Sequence, residues 1–393
     1  MLPKEQKIKT LITEKGLDGA IISSPENFHY VTGFAGHQHT VSRQPGFSLA
    51  VMSAKKDMPT QLTTMDFEIP TFEANNKYGF IIHKYDTWVG VKTWNEIAYH
   101  APVAESGIFE SAIDLLGKMM DEMGLMDKKV GVELDYLTYN YYKMLCEKFP
   151  KVQFVNISDL FVWSRSVKEP DEIEMFRTLC TAADNAFYEV SKIVRIGVSE
   201  KELAACFRQH ALASGVCLPS AWSMFSTGAY GARLGLPTER TIAGGDVVKF
   251  DAGVNAEFDF YTTDTSRAWV MGNADPVLHK LKDRLYEGQR RMITLAKPGV
   301  PINALFQTAF EYVREAYPRY RRGHTGHSIS MGPATAEAPY INALTDRPLE
   351  PGMILAMEVP CYIRDCNGFN IEDMVLITEN GCEILTPKTP HYL

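Results

Sequence analysis

The pattern of apolar and polar residues divides the chain into two parts. Up to about residue 155, short apolar runs alternate with segments of helical periodicity. Helices are predicted over 5–15, 108–123 and 136–149, and buried strands over 20–24 and 129–133. Strands that alternate with helices are typical of an α/β domain, which we assign to residues 1–160.

The second part follows a polar segment, residues 163–170, that ends in a proline. Asp171 and Glu172 come directly after it and suit the first turn of a helix. Helices are predicted over 171–195, 200–214, 275–297 and 301–316, with a glycine-rich loop over 227–235. Long helices beside antiparallel strand pairs predict an α+β domain over residues 161–393.

Length and charge narrow the class of protein. The chain has 393 residues, more than one hydrophobic core usually supports, and 45% of them are hydrophobic. The net charge of −8 speaks against a nucleic-acid partner, because binding to phosphates needs a basic surface. The densest basic run contains Arg319, Arg321 and Arg322, and we interpret it as a solvated helix end.

The N-terminus and the cysteines predict a cytoplasmic protein without a membrane partner. The chain enters charged, helix-like sequence at once, and no apolar segment reaches about 18 residues. Its seven cysteines are an odd number and lack metal-type pairs. Free thiols in a reducing compartment fit this usage best.

Two aspartates flank a predicted strand pair. An apolar run over 246–250 precedes Asp251, a turn is predicted over 255–259, and β-branched and aromatic residues follow from 261 to 270, around Asp264. This spacing predicts that the two carboxylates lie roughly opposite each other, with Cβ atoms about 4.5–5.5 Å apart. Such acids repel unless a cation lies between them. Taken alone, the pair also fits a solvated surface hairpin.

Two glutamates stand in a second predicted strand pair near the C-terminus. Glu358 and Glu372 lie in apolar runs on either side of an Asn-Gly dipeptide, residues 367–368, which predicts a hairpin turn. Their midpoint falls at residue 365, so they are predicted to face each other. Apolar neighbours on both arms indicate burial, and a buried carboxylate is costly unless it is paired or bound to metal.

The two pairs together predict a metal site. His327 lies between them in the sequence and adds an imidazole, although a lone histidine there also fits a structural role. Four negative charges match two divalent cations, and carboxylate-rich sites suit Mn, Co, Zn or Fe. Two such ions about 3.5–4 Å apart activate a shared water and polarise a substrate carbonyl.

The order Asp251, Asp264, His327, Glu358, Glu372 resembles that of the pita-bread-fold family, which holds methionine aminopeptidase, aminopeptidase P, prolidase and creatinase. The likeness runs nearly end to end. Residues 16–22 and 27–34 are similar to the non-catalytic N-terminal domain of the prolidase and creatinase branch, and residues 164–173 to its linker. The expected architecture is therefore a creatinase-like α/β domain followed by a pita-bread catalytic domain, in a homodimer.

The resemblance also implies roles for the five residues. Asp251 binds one metal, His327 and Glu358 bind the other, and Asp264 and Glu372 bridge them. Glu358 shuttles the proton, which makes Glu358 and His327 the catalytic candidates. Manganese is the favoured metal, and an Xaa-Pro dipeptide or a longer peptide is the expected substrate.

Departures from the family pattern concern the surroundings of the metals. Leu234 and Ala336 stand where the peptidases carry histidines that serve the substrate, and neither side chain can form a hydrogen bond. Asn370 replaces an arginine, and the interval from Asp251 to Asp264 is two residues longer than in prolidases. The metal ligands survive these changes, whereas the residues expected around the substrate are altered.

Three residues are candidates for substrate contacts. Arg233 and Tyr230 lie in the glycine-rich loop and suit a substrate carboxylate or carbonyl, or alternatively only the loop structure. His324, three residues before His327, either compensates for a lost histidine or is a solvated loop residue.

Three functions remain open at this stage. The first is an Xaa-Pro dipeptidase or aminopeptidase. The second keeps fold and metal but acts on a small non-peptide substrate, as creatinase-like, ectoine-hydrolase-like and sulfonium-lyase-like relatives do, and is motivated by Leu234 and Ala336. The third is a non-catalytic binding protein, against which all five ligands speak, because such proteins lose them.

Overall fold

The computed structural model describes residues 3–87, 91–100, 111–257, 259–332 and 335–393. The chain divides into two compact units, Met1–Ser164 and Arg165–Leu393. A helix, Ser158–Ser166, runs across this division. The following helix begins at Pro170, which preorganises the first turn of a helix because its backbone torsion is fixed.

The first unit is built on a mixed sheet. Its helices are α1 (Pro3–Glu14), α2 (Pro25–Thr32), α3 (His37–Ser42), α4 (Ile69–Asn75), α5 (Trp94–Tyr99), α6 (Ala112–Glu122), α7 (Tyr139–Lys148) and α8 (Ser158–Ser166). Its strands are β1 (Gly19–Ile22), β2 (Leu49–Ser53), β3 (Gln61–Met65), β4 (Ile81–Tyr85), β5 (Lys129–Val132) and β6 (Gln153–Asn156). The strand order is β4-β3-β2-β1-β5-β6, and β1 pairs with β2 antiparallel and with β5 parallel.

A buried acid fixes the start of α2 in this unit. Glu133 accepts hydrogen bonds from the Ser24 backbone amide at 2.9 Å, from Ser24 Oγ at 2.6 Å and from Asn27 Nδ2 at 2.5 Å. A buried carboxylate with this many donors is satisfied without a metal ion or a ligand. Glu133 therefore has a structural role.

The second unit contains the helices and strands that carry the candidate site. Its helices are α9 (Pro170–Ile193), α10 (Glu200–Ala213), α11 (Pro276–Leu295) and α12 (Ile302–Ala316). Its strands are β7 (Leu218–Pro219), β8 (Met224–Thr227), β9 (Val247–Ala252), β10 (Val254–Asn255), β11 (Thr265–Val270), β12 (Gly326–Ser328), β13 (Glu337–Tyr340), β14 (Ile354–Glu358), β15 (Cys361–Ile363), β16 (Asn367–Phe369), β17 (Glu372–Ile377) and β18 (Cys382–Ile384).

The main sheet has the strand order β13-β12-β14-β17-β11-β9-β8, with β18 paired to β17. Neighbouring strands in this sheet are antiparallel. One core cluster packs α11 and α12 with sheet residues such as Leu285, Leu305, Leu355 and Val375. The helices thus bury one face of the sheet, and the site residues project from the strands themselves.

The predicted helices of both units are confirmed with shifts of a few residues at their ends. The helix predicted over 108–123 is α6, Ala112–Glu122, and residues 108–110 of that prediction lie outside the described residues. The strand predicted over 129–133 is β5, Lys129–Val132. Strong periodicity and good capping signals explain this agreement, because both act locally.

A buried ion network supports the sheet beside Glu372. Asp373 is 1% exposed and contacts Arg267 Nη2 at 2.8 Å and Arg290 Nη2 at 2.5 Å. Arg267 also donates from Nη1 to the backbone carbonyl of Glu372 at 2.6 Å. Although burial by itself raises the pKa of Asp373, the neighbouring Arg267, His391 and Arg290 hold this pKa well below its usual range. The network therefore fixes the backbone that carries Glu372.

Replacement of Asp373 with Asn is expected to destabilise the protein. The change leaves the guanidinium of Arg267, which is fully buried, without its carboxylate. Loss of one partner of a buried ion pair costs about 3–5 kcal/mol. Urea unfolding of the metal-free protein at neutral pH measures the effect.

The control is Glu315→Gln, which removes an exposed carboxylate paired with Arg284 at 2.6 Å in the same unit. An exposed pair is worth less than about 1 kcal/mol. Equal losses in both variants would show that the Asp373 network does not support the sheet.

Candidate functional site

The two aspartates project from neighbouring strands, but they are diagonal rather than opposite. Asp251 in β9 pairs with Ser266 in β11, and Asp264 directly precedes β11. The turn predicted over 255–259 is wrong at its first residue, because Asn255 belongs to β10 and forms a β-bridge with Thr262. Diagonal residues on one face lie about 7–8 Å apart, farther than the opposite pair that the spacing predicts.

The two glutamates face each other, as the midpoint of their hairpin predicts. Glu358 in β14 pairs directly with Glu372 in β17. The predicted Asn-Gly turn is wrong, however. The chain turns over residues 364–366, where Asp365 has a φ of 56°, and Asn367 and Gly368 lie in β16.

Gly368 is required for packing rather than for a turn. A Cβ atom at this position would lie 1.9 Å from the backbone oxygen of Gly231. Only a glycine permits this approach between β16 and the loop that carries the substrate-binding candidates. The Asn367 side chain meanwhile accepts a hydrogen bond from the Val247 amide at 2.7 Å, which ties β16 to β9.

His327 is held with one ring nitrogen directed away from its own strand. Its Nδ1 lies 3.0 Å from the carbonyl oxygen of Ser328. Because a carbonyl can only accept a hydrogen bond, Nδ1 carries the proton and Nε2 keeps its lone pair. Nε2 lies 3.7 Å from Asp264 Oδ2, so the lone pair is available for a metal ion near that carboxylate.

Asp264, His327 and Glu372 converge on one point. Each of the three residues is buried, and each offers one ligand atom within 4.8 Å of those of the other two. Asp264 Oδ1 is buried and has no hydrogen-bond partner among the described residues. Two carboxylates and one imidazole form a donor set that suits a first-row divalent ion. These residues therefore fit a metal ion.

The electrostatics of the acids favour such an ion. Burial raises the pKa of Asp251 above its usual value. Burial and then repulsion from other carboxylates raise the pKa of Asp264 and of Glu372 well above their usual values. The strongest repulsion on Asp264 comes from Asp251, and the strongest on Glu372 comes from Asp264. A divalent cation relieves both the desolvation and the repulsion.

Glu358 already has a cationic partner. Arg322 Nη2 donates to Glu358 Oε1 at 2.6 Å, and His324 Nδ1 lies 3.3 Å from the same oxygen. The interpretation of Arg322 as part of a solvated helix end is therefore wrong. Its side chain is 21% exposed and points into the site, while Arg319 and Arg321 are exposed. Nothing in the local sequence distinguishes the three arginines.

The Asp251 carboxylate contacts the side-chain amide of Asn370, and Lys249 lies on the same strand as Asp251. Asn370 Nδ2 lies 3.2 Å from Asp251 Oδ2 and 3.4 Å from Glu372 Oε2, so this residue bridges two carboxylates where the family pattern has an arginine. Lys249 lies two residues before Asp251 on β9 and is fully buried. Sequence reasoning missed Lys249, although a strand places residues two apart on the same face.

A pocket of about 450 Å³ opens above these residues. Its wall combines apolar side chains, Trp222, Met224 and Leu234, with the guanidinium groups of Arg233 and Arg322. All five predicted metal ligands line it. A pocket of this size with an apolar wall and two cations suits a small, partly apolar molecule that carries a negative charge.

The substrate-binding candidates lie at different depths. Arg233 lines the pocket, and its Cζ lies 4.1 Å from the centre of the Tyr230 ring. The Tyr230 ring therefore packs against the Arg233 guanidinium in a cation–π contact. His324 contacts Glu358 rather than the pocket wall. Burial lowers the pKa of His324, whereas Glu358 opposes this shift.

Leu234 and Ala336, where the resemblance implies histidines, also differ in their surroundings. Leu234 lines the pocket but is 81% exposed, so it stands at the mouth. Ala336 precedes Glu337, whose Oε2 pairs with Arg165 Nη2 at 2.8 Å.

Buried carboxylates and a histidine that fit a divalent ion, beneath a pocket in an antiparallel sheet, define a metallohydrolase. The chain belongs to metallopeptidase family M24, whose model matches residues 174–379. A second model, the creatinase/prolidase N-terminal domain, matches residues 5–167. The expected two-domain, pita-bread architecture is thereby confirmed.

Individual relatives agree with this assignment. An uncharacterized peptidase of Bacillus subtilis is 25% identical over 98% of this chain and 97% of its own length. An Xaa-Pro dipeptidase of Pyrococcus furiosus is 30% identical over 64% of this chain and 71% of its own. The solved structure of an Xaa-Pro dipeptidase from Bacillus anthracis has a TM-score of 0.81 at 26% identity, covering 99% of both chains.

The helices add one negative finding. Within the described ranges, none is both long enough and apolar enough to cross a lipid bilayer.

Manganese is expected to stabilise the metal-free protein, and His327→Ala is expected to abolish most of this effect. At 100 times its dissociation constant, a ligand stabilises the folded state by about 2.7 kcal/mol. For a unit of the size of Arg165–Leu393, which carries the site, the melting temperature rises by about 2–4 °C per kcal/mol. Thermal unfolding with and without Mn²⁺ after EDTA treatment measures this rise.

His279→Ala serves as the matched control, since His279 is exposed on α11. It should keep the full rise in melting temperature. If His327→Ala keeps it too, His327 is not a metal ligand.

Proposed function

We propose that this metallohydrolase is an Xaa-Pro dipeptidase or aminopeptidase that cleaves the bond before proline. The observation that carries the proposal is the convergence of Asp264, His327 and Glu372 within 4.8 Å at a pocket of the catalytic domain. The Xaa-Pro dipeptidases among its relatives support the choice of substrate.

Five residues would hold the metal. Asp264, His327 and Glu372 form the core of the donor set, and Asp251 and Glu358 flank it. A divalent metal supplies a bound water of lowered pKa and polarises the scissile carbonyl. The sequence predicts two ions, with Mn favoured and Co, Zn or Fe as other choices.

Glu358 is the proposed general base. It lines the pocket with one carboxylate oxygen bound to Arg322, which leaves its second oxygen for the attacking water. Glu358 takes the proton from this water and then delivers it to the departing amine. A positioned acid or base of this kind contributes about 10²–10⁴-fold to the rate.

The wall of the pocket is proposed to select the substrate. Arg233, supported by Tyr230, binds the carboxylate of a dipeptide, and the apolar Trp222 and Met224 accept the proline ring. His324 acts indirectly, through its contact with Glu358. A homodimer is proposed from the resemblance alone. A cytoplasmic location is proposed from the seven cysteines, which lack metal-type pairs and suit free thiols in a reducing compartment.

Turnover of Xaa-Pro dipeptides and longer Xaa-Pro peptides with Mn²⁺ tests this proposal. The wild-type protein is expected to hydrolyse at least one of them, and Glu358→Ala is expected to lower the rate by about 10²–10⁴-fold, because the general base is lost. Wild-type rates no higher than those of the Glu358→Ala variant would contradict the assignment.

A small non-peptide substrate is the second candidate. The observation that favours it is Leu234, an exposed apolar side chain at the pocket mouth where a peptidase needs a hydrogen-bonding group. A small amide, amidine or zwitterion needs fewer contacts at this position. A non-catalytic binding protein is the third candidate, and only a silent screen of both substrate classes would favour it.

The double variant Leu234→His with Ala336→His distinguishes the first two candidates. If the chain is a peptidase with weakened contacts, restored histidines raise Xaa-Pro hydrolysis by at least about tenfold. Leu344→His is the control, since Leu344 is 89% exposed and does not line the pocket. Unchanged peptidase rates together with turnover in a small-molecule screen would favour the second candidate, and a silent screen would count against it.

A further inference from the structure

Arg322 is held in the inner part of the pocket by two hydrogen bonds. Its Nε donates to the carbonyl oxygen of His324 at 2.9 Å, and its Nη2 donates to Glu358 Oε1 at 2.6 Å. The side chain lines the pocket and is 21% exposed. No acceptor in the described part of the chain takes a hydrogen bond from Nη1. A guanidinium fixed at two of its nitrogens is therefore ready to bind a further anion through the third.

Arg233 lines the same pocket at a different depth. It is exposed and directly precedes Leu234, which stands at the mouth with 81% exposure. Its guanidinium packs on the Tyr230 ring and pairs with no carboxylate of the described residues. The pocket thus offers one guanidinium at its mouth and another beside Glu358.

The acids of the pocket are all assigned to the metal. Within the described residues, the carboxylates that line it are those of Asp251, Asp264, Glu358 and Glu372, and each is a predicted ligand. Two divalent ions, the predicted number, balance these four charges. The two guanidinium groups are then the charges that the pocket wall offers to a substrate. Electrostatic complementarity favours a molecule with two negative charges.

The depth of each arginine indicates which half of the substrate it meets. Arg233 is proposed to bind the carboxylate on the amine side of the scissile amide, toward the mouth. Glu358, the proposed base, acts at the scissile bond itself, and Arg322 contacts Glu358 directly. The acyl half of the substrate therefore lies in the inner part of the pocket, next to Arg322.

We infer that the substrate carries a second acid, on the acyl side of the scissile amide, and that Arg322 binds it. Two sources share this chemistry: dipeptides with an acidic first residue, and dicarboxylic amides of proline without an α-amine. In the hydrolysis the C–N bond breaks, the hydroxyl of water joins the acyl carbon, and a proton goes to the departing nitrogen. The inference rests on the proposed function and narrows its substrate.

Two matched pairs of substrates test the inference with the Mn²⁺-loaded protein. Asp-Pro and Asn-Pro differ by one charge at almost equal shape, and N-succinylproline and N-succinamoylproline repeat this comparison without the amine. The wild type is expected to favour the acid by about 10–100-fold in kcat/KM, mainly through KM, because a hydrogen bond to a charged group is the stronger one. The pair with the larger preference identifies the source, and equal values within both pairs would overturn the inference.

Variants of Arg322 test which residue reads the charge. Arg322→Gln should remove the preference for the acid, and Arg322→Lys should retain part of it because the positive charge remains. Both variants also disturb Glu358, but this effect cancels in the ratio of the two matched substrates within one variant. Arg321→Gln is the control, since Arg321 is the exposed neighbour, and it should keep the full ratio. A wild-type ratio in Arg322→Gln would contradict the inference.

Calorimetric titration with succinate and succinamate gives a readout that needs no turnover. The Mn²⁺-loaded wild type is expected to bind succinate at least about tenfold more tightly than succinamate, and Arg322→Gln is expected to bind both alike. If Arg322→Gln does not fold, equal affinities in the wild type would still overturn the inference. Hydrolysis of Xaa-Pro dipeptides without preference for an acid refutes only the inference, whereas no hydrolysis of any of them refutes the proposed function.

Discussion

Four carboxylates are buried within one sheet, and their mutual repulsion is the constraint on which the rest of the site depends. Asp251, Asp264, Glu358 and Glu372 are between 1% and 8% exposed. Such a cluster is stable only where cations and hydrogen-bond donors surround it. Arg322 contacts Glu358, and Asn370 contacts Asp251 and Glu372, while the convergent carboxylates of Asp264 and Glu372 suit a metal ion.

The backbone beneath the acids is held by opposite charges. Arg267 donates to the carbonyl of Glu372 and to the side chain of Asp373, and Arg290 binds the same carboxylate. A metal site needs ligands whose positions do not relax when the ion is absent, and a buried ion network provides this rigidity. Glu372 therefore belongs to the candidate metal site, and the adjacent Asp373 belongs to the stabilising ion network. Their side chains point to opposite faces of the strand.

Predictions from the sequence succeeded where local rules apply. Helices such as α9 and α11 begin near the predicted residues, because proline and capping signals act within one turn. The facing of Glu358 and Glu372 followed from the symmetry of their hairpin. The predicted register of Asp251 was wrong by two residues. The predicted Asn-Gly turn was misplaced, because Gly368 is required for its close contact with Gly231, which is distant in the sequence.

The sequence by itself determined the class of fold and the two-domain architecture, and it predicted five metal ligands in a stated order. These features depend on periodicity and on residue types whose burial requires a cation. Only the tertiary structure decided which acids converge on one point and which are bound by the chain's own cations. Arg322 reaches Glu358 from a distant segment, and contacts between residues far apart in sequence leave no trace in local patterns.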